Sequence, residues 1–475
     1  VSLPSGRTAS SISAGEGHMC VITDDGAIYC SGKNSYGQLG DGTTTEAHTP
    51  TAVTMPSGRT ATSVSVGEDM TCAIMDDGSV YCWGYNFHGQ LGDGTTTNRH
   101  TPTLVQGPGG WSATDISASV HFACALFYDA TWPNDDNKIW CWGLNNLGQL
   151  GDGSTQSRTS PVVISDTLMS SVETGNYHSC SLSEADEIYC WGENEYGSLG
   201  DGSTTDSLVP TEYGGLRGHP VEISERDFDG DGTLNIFDST YYCASGNYHD
   251  PLAQSDCSPS ERGHYVTGNE NDPHRIGDGL GGHRCVIMDN GSIMCTGAGG
   301  DGQLGDGSTS DSLTPVNVTM PSGRTAVEVV TSYGSSCAIM DDGMIYCWGR
   351  NTYGQLGDGS TTDSTSLVAV DMPTGLTAVD IDPGPWGYCA VMDDDSMYCW
   401  GRNQNYQLGC GTSLYYDTPC LVSGVSATKA SMGYSHVCAL LTDSSISCWG
   451  RNSYGQIGDG TTTHRYNPPT AVSLP

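Results

Sequence analysis

The residues with the most specific chemistry in this chain are the oxygen donors of D-F-D-G-D-G-T-L-N-I-F-D, Asp227 to Asp238. Carboxylates stand at positions 1, 3 and 5 of the segment (Asp227, Asp229, Asp231), and Gly232 follows where a sharp bend is needed. Thr233 offers a backbone carbonyl, and Asn235 and Asp238 complete the set. Hard oxygen donors at these intervals wrap a Ca²⁺ ion. The expectation is one structural calcium ion that fixes the local shape, weighed against an acidic loop that is merely solvated.

Sulfur is the second chemistry. The 20 cysteines contain no C-x-x-C, which argues against zinc ribbons, thioredoxin-like sites and c-type haem. Their spacing pairs Cys20 with Cys30, Cys72 with Cys82, Cys124 with Cys141 and Cys180 with Cys190. It likewise pairs Cys285 with Cys295, Cys337 with Cys347, Cys389 with Cys399 and Cys438 with Cys448. Two further pairs, Cys243 with Cys257 and Cys410 with Cys420, fall outside that pattern. Disulfides at this density point to an oxidising compartment, outside the cell or on its surface.

Other residues recur at fixed offsets, and each set has a structural reading beside a chemical one. Trp83, Trp142, Trp191, Trp348, Trp400 and Trp449 follow the second cysteine of a pair, with Ser31 and Thr296 in two copies. They are read as packing between repeats rather than as a ligand-binding ring. His18, His178, His283 and His436 precede a cysteine by two. They are read as structural, backbone-bonded histidines rather than a metal ring. Asp41, Asp93, Asp152, Asp201, Asp306, Asp358 and Asp459 lie in Gly-Asp-Gly, where turn chemistry competes with a cation ring. No G-x-S-x-G, phosphate loop or H-E-x-x-H is present, and no enzymatic activity is expected.

Short hairpins must position these residues. In C-A-I-M-D-D-G-S-V-Y-C, Cys72 to Cys82, apolar runs flank Asp76-Asp77-Gly78. A three-residue loop with glycine in the left-handed position joins two antiparallel strands. It sets Met75 against Ser79, Ile74 against Val80, Ala73 against Tyr81 and Cys72 against Cys82, within disulfide reach. The pair Cys124 and Cys141 absorbs its extra residues in a longer tip around D-A-T-W-P-N-D-D-N. Asp186, Asp395 and Ser444 or Ser445 stand where other copies have the glycine.

The second cysteines follow one another at 52, 59, 49, 105, 52, 52 and 49 residues, so the period is about fifty with one large insertion. Four short strands repeated in this way make a β-propeller. The string Y-C-W-G-Y-N-F-H-G-Q-L-G-D-G from Tyr81, with the upstream G-E-G-H-M-C-V-I from Gly15, closely resembles the repeat of the regulator of chromosome condensation family. The resemblance covers nearly everything except about 206–282. It implies an all-β propeller of four-stranded blades; the eight copies point to eight blades, with the family's usual seven as the alternative. The expected partition is 1–205 for repeats one to four, 206–282 for the insertion with its calcium loop, and 283–475 for repeats five to eight. The Asp227–Asp238 loop departs from an EF-hand in ending on Asp rather than Glu, and resembles the calcium loops of dockerin and thrombospondin type 3 repeats.

The net charge of −38 repels phosphate, so nucleic acid and anionic membrane are poor partners. No apolar run is long enough to span a bilayer. Asn290-Gly-Ser and Asn317-Val-Thr are acceptors for N-glycosylation. Both ends carry V-S-L-P. The ends meet in one blade and close the ring, or the chain is a segment of a longer array, or it polymerises head to tail. The function expected is a secreted, disulfide-stapled, calcium-stabilised structural subunit of the cell surface or of an extracellular assembly, a filament among the forms it could take. The alternative is an extracellular binding propeller, such as an enzyme inhibitor or adhesin, that uses one face or the insertion.

Overall fold

The computed structural model describes residues 7–129, 137–164, 168–183, 187–213, 282–288 and 290–465, with the backbone of 247–248, 258–259 and 276–278. Each repeat builds an antiparallel meander. In the second repeat the strands are Ala61–Val66, Met70–Met75, Val80–Gly84 and Arg99–Leu104, paired in that order. The hairpin register is the one expected: Cys72 faces Cys82, Ala73 faces Tyr81 and Ile74 faces Val80. Gly78 takes φ +75°, and Asp395 (φ 66°) and Ser444 (φ 62°) fill the same left-handed position in the seventh and eighth repeats. In both the preceding aspartate closes the tip, Asp394 accepting from the Ser396 N–H and Asp443 from the Ser445 N–H.

In seven repeats the first strand lies nearest the axis, since its end borders the central opening at Ala14, Gly67, Ala118, Thr174, Thr331, Gly384 and Met432. The second strand is buried throughout in Met70–Met75 because a neighbouring repeat covers each of its faces. The outer strand is half exposed and carries a proline in six repeats: Pro50, Pro102, Pro161, Pro210, Pro315 and Pro419. Proline removes a donor from the free edge and discourages another strand from pairing there.

The described repeats form seven sheets, six of four strands and one of six. Seven is the lower of the two numbers expected. The seventh and eighth repeats share the large sheet because Tyr415–Met432 runs unbroken from one to the other. Its first part pairs with Ser396–Arg402 and its last part with His436–Leu441. Eight apolar clusters nonetheless separate eight packed units, each cluster drawn from two consecutive repeats. The last joins Cys438, Ile446 and Ile457 to Ala9, Ile12 and Met19, closing the ring between the eighth repeat and the first. Arg465 bridges Gly450 where other repeats begin their outer strand.

The outer strand of the fourth repeat, Ser207–Glu212, and the inner strand of the fifth, Ile276–Asp278, both lie inside the stretch expected as insertion. The repeat therefore claims both flanks of 206–282. The expected calcium donors Asp227, Asp229, Asp231, Thr233, Asn235 and Asp238 lie outside the described residues. So does the expected pair of Cys243 with Cys257.

Candidate partner-binding face

The loop after the third strand is built on a buried asparagine. Asn86 accepts the Leu91 N–H on Oδ1 (2.9 Å), and its Nδ2 donates to Asp93 Oδ1 (3.2 Å) and to the carbonyls of Thr95 and Thr97. Asn34, Asn145, Asn194, Asn351 and Asn452 repeat the pattern. A fully buried amide with all its groups used fixes a loop more tightly than a surface turn could. Sequence reasoning passed over this asparagine, although its constant place five residues before the Leu of G-Q-L-G-D-G was a readable signal.

Asp93 belongs to the same turn. It accepts from the Thr95 N–H (2.9 Å), the Thr95 hydroxyl (2.8 Å) and Arg99 Nε (2.6 Å). Partial burial opposes its charge, but the Thr95 and Arg99 bonds prevail and hold the carboxyl below its usual range. Asp152 and Asp459 are engaged in the same way. The turn reading accounts for these aspartates, and no group of metal-ligating side chains forms among the described residues. In the seventh repeat Cys410 replaces the aspartate and bonds to Cys420 on the outer strand.

Eight hairpin disulfides staple the repeats, each across directly opposed residues with a Cα separation of 4.0–4.2 Å. In the first four repeats Cys20 is bonded to Cys30, Cys72 to Cys82, Cys124 to Cys141 and Cys180 to Cys190. In the last four Cys285 is bonded to Cys295, Cys337 to Cys347, Cys389 to Cys399 and Cys438 to Cys448. The longer tip between Cys124 and Cys141 leaves that register intact, because the extra residues fall beyond Tyr128 and Asn137.

The tryptophans pack between units: Trp83, Trp142, Trp191, Trp348 and Trp400 each donate Nε1–H to a glutamine carbonyl of the preceding repeat at 2.8–2.9 Å. Where Thr296 replaces Trp, it donates to the Ser198 carbonyl, and Tyr213 fills the space with its hydroxyl 2.9 Å away. Asn290 and Asn317 are both exposed.

The histidines need a correction. In two of them Nε2 meets a hydroxyl of the next repeat rather than a backbone group. His18 Nε2 lies 2.8 Å from Thr71 Oγ1, and His283 Nε2 lies 2.8 Å from Ser336 Oγ. Thr71 donates onward to the Gln38 carbonyl, so His18 carries its proton on Nε2. Burial, with Lys33 nearby, drives the His18 pKa down to about 3, and burial with Arg451 nearby drives His436 to about 4. At the sixth-to-seventh junction the pair is inverted, with Ser335 in the histidine position and the Tyr388 hydroxyl 2.9 Å from it.

Two loops per repeat share one face: the loop between the first and second strands, and the asparagine loop. Backbone bonds tie them together, as in Lys33 N–H to Gly17 O, Arg350 N–H to Gly334 O and Arg402 N–H to Trp386 O. These loops carry side chains that differ from repeat to repeat. The residue after the third-strand glycine is in turn Lys33, Tyr85, Leu144, Glu193, Ala298, Arg350, Arg402 and Arg451. On the other face Asp-Asp-Gly tips and Pro-Ser-Gly-Arg linkers recur in the first, second and sixth repeats, where Arg7, Arg59 and Arg324 bridge to the hairpin-tip carboxylates, and the remaining tips and linkers differ.

The variable face is rich in aromatic rings. Tyr85 contacts Tyr36 (centroids 4.8 Å), Phe87 (6.5 Å) and His121 (6.0 Å). His88 stacks near His121 at 5.1 Å, and burial together with that neighbour lowers the His88 pKa. Across the ring Trp386 lies 5.2 Å from Tyr333 and 5.8 Å from Tyr353. Phe87 is 67% exposed and Tyr434 is 44% exposed.

The axial opening on this face is a cavity of about 550 Å³ bordered by Glu16, Glu68, Asn176, Tyr333 and Tyr434. Glu68 is pushed up to about 7 by burial, by its hydrogen bond with Glu16 and by that residue's charge. Below the mouth, side chains of one inner strand cap N–H groups of the next: Ser65 for Ala118, Ser117 for Thr174, Asp380 for Ala430 and Asp382 for Met432. Burial and the Asp380 charge raise Asp382 to about 7, against the Met432 N–H, which favours the anion. The arrangement offers wet aromatic contacts, fixed carboxylates and guanidinium groups, the ingredients of a recognition surface.

Comparison with known proteins places this fold. Models of the regulator of chromosome condensation (RCC1) repeat match residues 25–74, 77–126, 136–182, 185–224, 290–339, 342–380 and 394–440. The chain is 27% identical over 428 residues to the ultraviolet-B receptor UVR8 of Arabidopsis thaliana, covering 88% of this chain and 83% of the receptor. It is 24% identical over 409 residues to the E3 ubiquitin-protein ligase HERC2 of Homo sapiens, where the match covers 86% of this chain and only 7% of the ligase. Among solved structures, Prp20p of Saccharomyces cerevisiae superposes with a TM-score of 0.58 at 17% identity, over 90% of this chain and 91% of that one. Human WBSCR16 superposes with a TM-score of 0.57 at 17% identity, over 82% and 88%. The chain belongs to the regulator of chromosome condensation (RCC1) repeat family.

Proposed function

We propose that this chain is a binding propeller that recognises a protein partner through the axial face, held rigid by its hairpin disulfides in an oxidising, extracellular setting. One observation carries the reading. Eight repeats of a shared scaffold set side chains that differ from repeat to repeat around one axial opening, and that face carries clustered, exposed aromatic rings. Hot-spot recognition needs such a dissimilar patch, and rigid aromatic anchors supply it at low entropic cost. Related propellers support the reading: Prp20p is described with binding properties to Gsp1p and histones, and yeast RCC1 (Prp20) bound to Kap60. The expected structural subunit has less behind it, because the outer edges, where another copy would add a strand, carry prolines.

The calcium loop belongs to the same proposal: Asp227, Asp229, Asp231, Asn235 and Asp238 with the Thr233 carbonyl would hold one Ca²⁺ and give the insertion its shape. Quantitative capture from the protein's native extracellular medium tests the face. Phe87→Asp with Tyr434→Asp is expected to lose the partner that wild type retains, whereas Arg59→Ala on the opposite face keeps it. Loss with Arg59→Ala and retention with the double variant would overturn the assignment.

A further inference from the structure

Basic residues are scarce in this chain, 17 against 55 acidic ones. Most described ones are neutralised internally: Arg7, Arg59, Arg99, Arg158, Arg324, Arg465 and Lys33 all pair with carboxylates. Arg350, Arg402 and Arg451 do not. They occupy one repeat position in three consecutive units of the axial face, and none forms an ion pair among the described residues.

Each guanidinium is instead laid on an aromatic ring. Arg350 lies 5.3 Å over Trp386, Arg402 lies 5.4 Å over Tyr353 and Arg451 lies 5.7 Å over Tyr454. The first two interleave across the unit boundary, since Trp386 and Tyr353 are themselves in contact at 5.8 Å. A second hold comes from the residue two further on: Arg350 Nε donates to Thr352 (3.3 Å), Arg402 Nε to Gln404 (3.0 Å) and Arg451 Nε to Ser453 (3.3 Å). Ring and Nε bond together fix the plane of the fork while the terminal nitrogens of Arg350 and Arg451 keep no internal partner among the described residues. A stacked, pre-oriented guanidinium is suited to bidentate capture of a carboxylate.

We infer that the Arg350–Arg402–Arg451 arc is the docking site for a short acidic segment of the protein partner, its carboxylates received by the terminal nitrogens of Arg350 and Arg451, with Arg402, whose Nε and Nη2 both donate to Gln404, adding its charge between them. The inference rests on the reading of the axial face as the binding face. Charge complementarity selects the occupant. A net charge of −38 repels any long polyanion, so the negative charge must be confined to the length of the arc, which a peptide segment satisfies and a nucleic acid does not. Glu16 in the first repeat, which follows the eighth around the ring, and Glu68 in the second set the limit of the patch.

The test is fluorescence anisotropy with a labelled Glu-rich peptide of roughly ten residues, long enough to span about 30 Å. A Gln-for-Glu copy and a short single-stranded oligonucleotide serve as competitors. Wild type is expected to prefer the Glu peptide and to lose it at about 0.5 M salt. Exposed charge pairs contribute modestly one by one, so the triple variant Arg350→Gln, Arg402→Gln, Arg451→Gln is expected to bind about tenfold more weakly. A Lys triple variant should fall between, because it keeps charge and loses the fork. Equal binding of the Glu and Gln peptides, tighter binding of the oligonucleotide, or an unaffected triple variant would overturn the proposal. If the triple variant still captures the natural partner while Phe87→Asp does not, the arc is wrong and the binding face stands. If neither change matters, both are wrong.

Discussion

At the scale of single residues, burial decides most roles. Trp142 is fully buried and donates to Gln90 across a unit boundary. Trp142→Ala is expected to destabilise the chain by about 3–5 kcal/mol, read from denaturant midpoints. Asp382 responds to pH. Its folded-state pKa of about 7 stands above the ordinary carboxylate value near 4. Between about pH 4 and 7 the folded chain therefore keeps a proton that the unfolded chain releases, and this group's contribution to stability falls as pH rises through that window. Glu68 acts in the same direction. Asp382→Asn should flatten the decline in denaturation midpoint between pH 5 and 8 relative to wild type; an unchanged slope would contradict the account. The tryptophan and aspartate roles were legible because most copies carry the same filler and the same turn. The hydroxyl partners of the histidines were not, because Thr71 and Ser336 lie 53 residues from their histidines, in the next repeat.

At the scale of the element, the hairpin was readable almost completely. A ten-residue separation of cysteines about an Asp-Asp-Gly loop leaves one register, and the observed pairing Cys72 to Cys82 follows it. Replacing both Cys72 and Cys82 by Ser should cost no more than about 2–3 kcal/mol, since the closed loop is short and the hairpin already restrains it. A loss well above that, measured by chemical denaturation, would mean the bridge also holds the packing of its neighbours. The asparagine loops were less legible, because an amide that bonds four groups of its own turn looks in sequence like any turn residue. The Arg350 to Arg451 arc was missed for a related reason: three arginines spaced about fifty residues apart become a surface only when the ring brings the repeats side by side.

At the scale of the whole molecule, the sequence period carried the fold, and the seam carried the surprise. Counting repeats gives eight, and eight packed units are present, yet an unbroken Tyr415–Met432 merges two of them into one sheet. Nothing in local composition marks a strand that passes between blades without turning. The calcium proposal belongs at this scale too. Elemental analysis of protein purified without chelator should find about one calcium per chain, lost on Asp229→Ala with Asp231→Ala; no calcium in wild type would remove the site. The central claim is that the variable axial face meets the partner. A photo-reactive side chain at position 87, and separately at position 77 on the opposite face, tests it directly in the protein's native medium. The account predicts one discrete cross-linked product from position 87 and none from position 77. Cross-linking from 77 with none from 87 would contradict it.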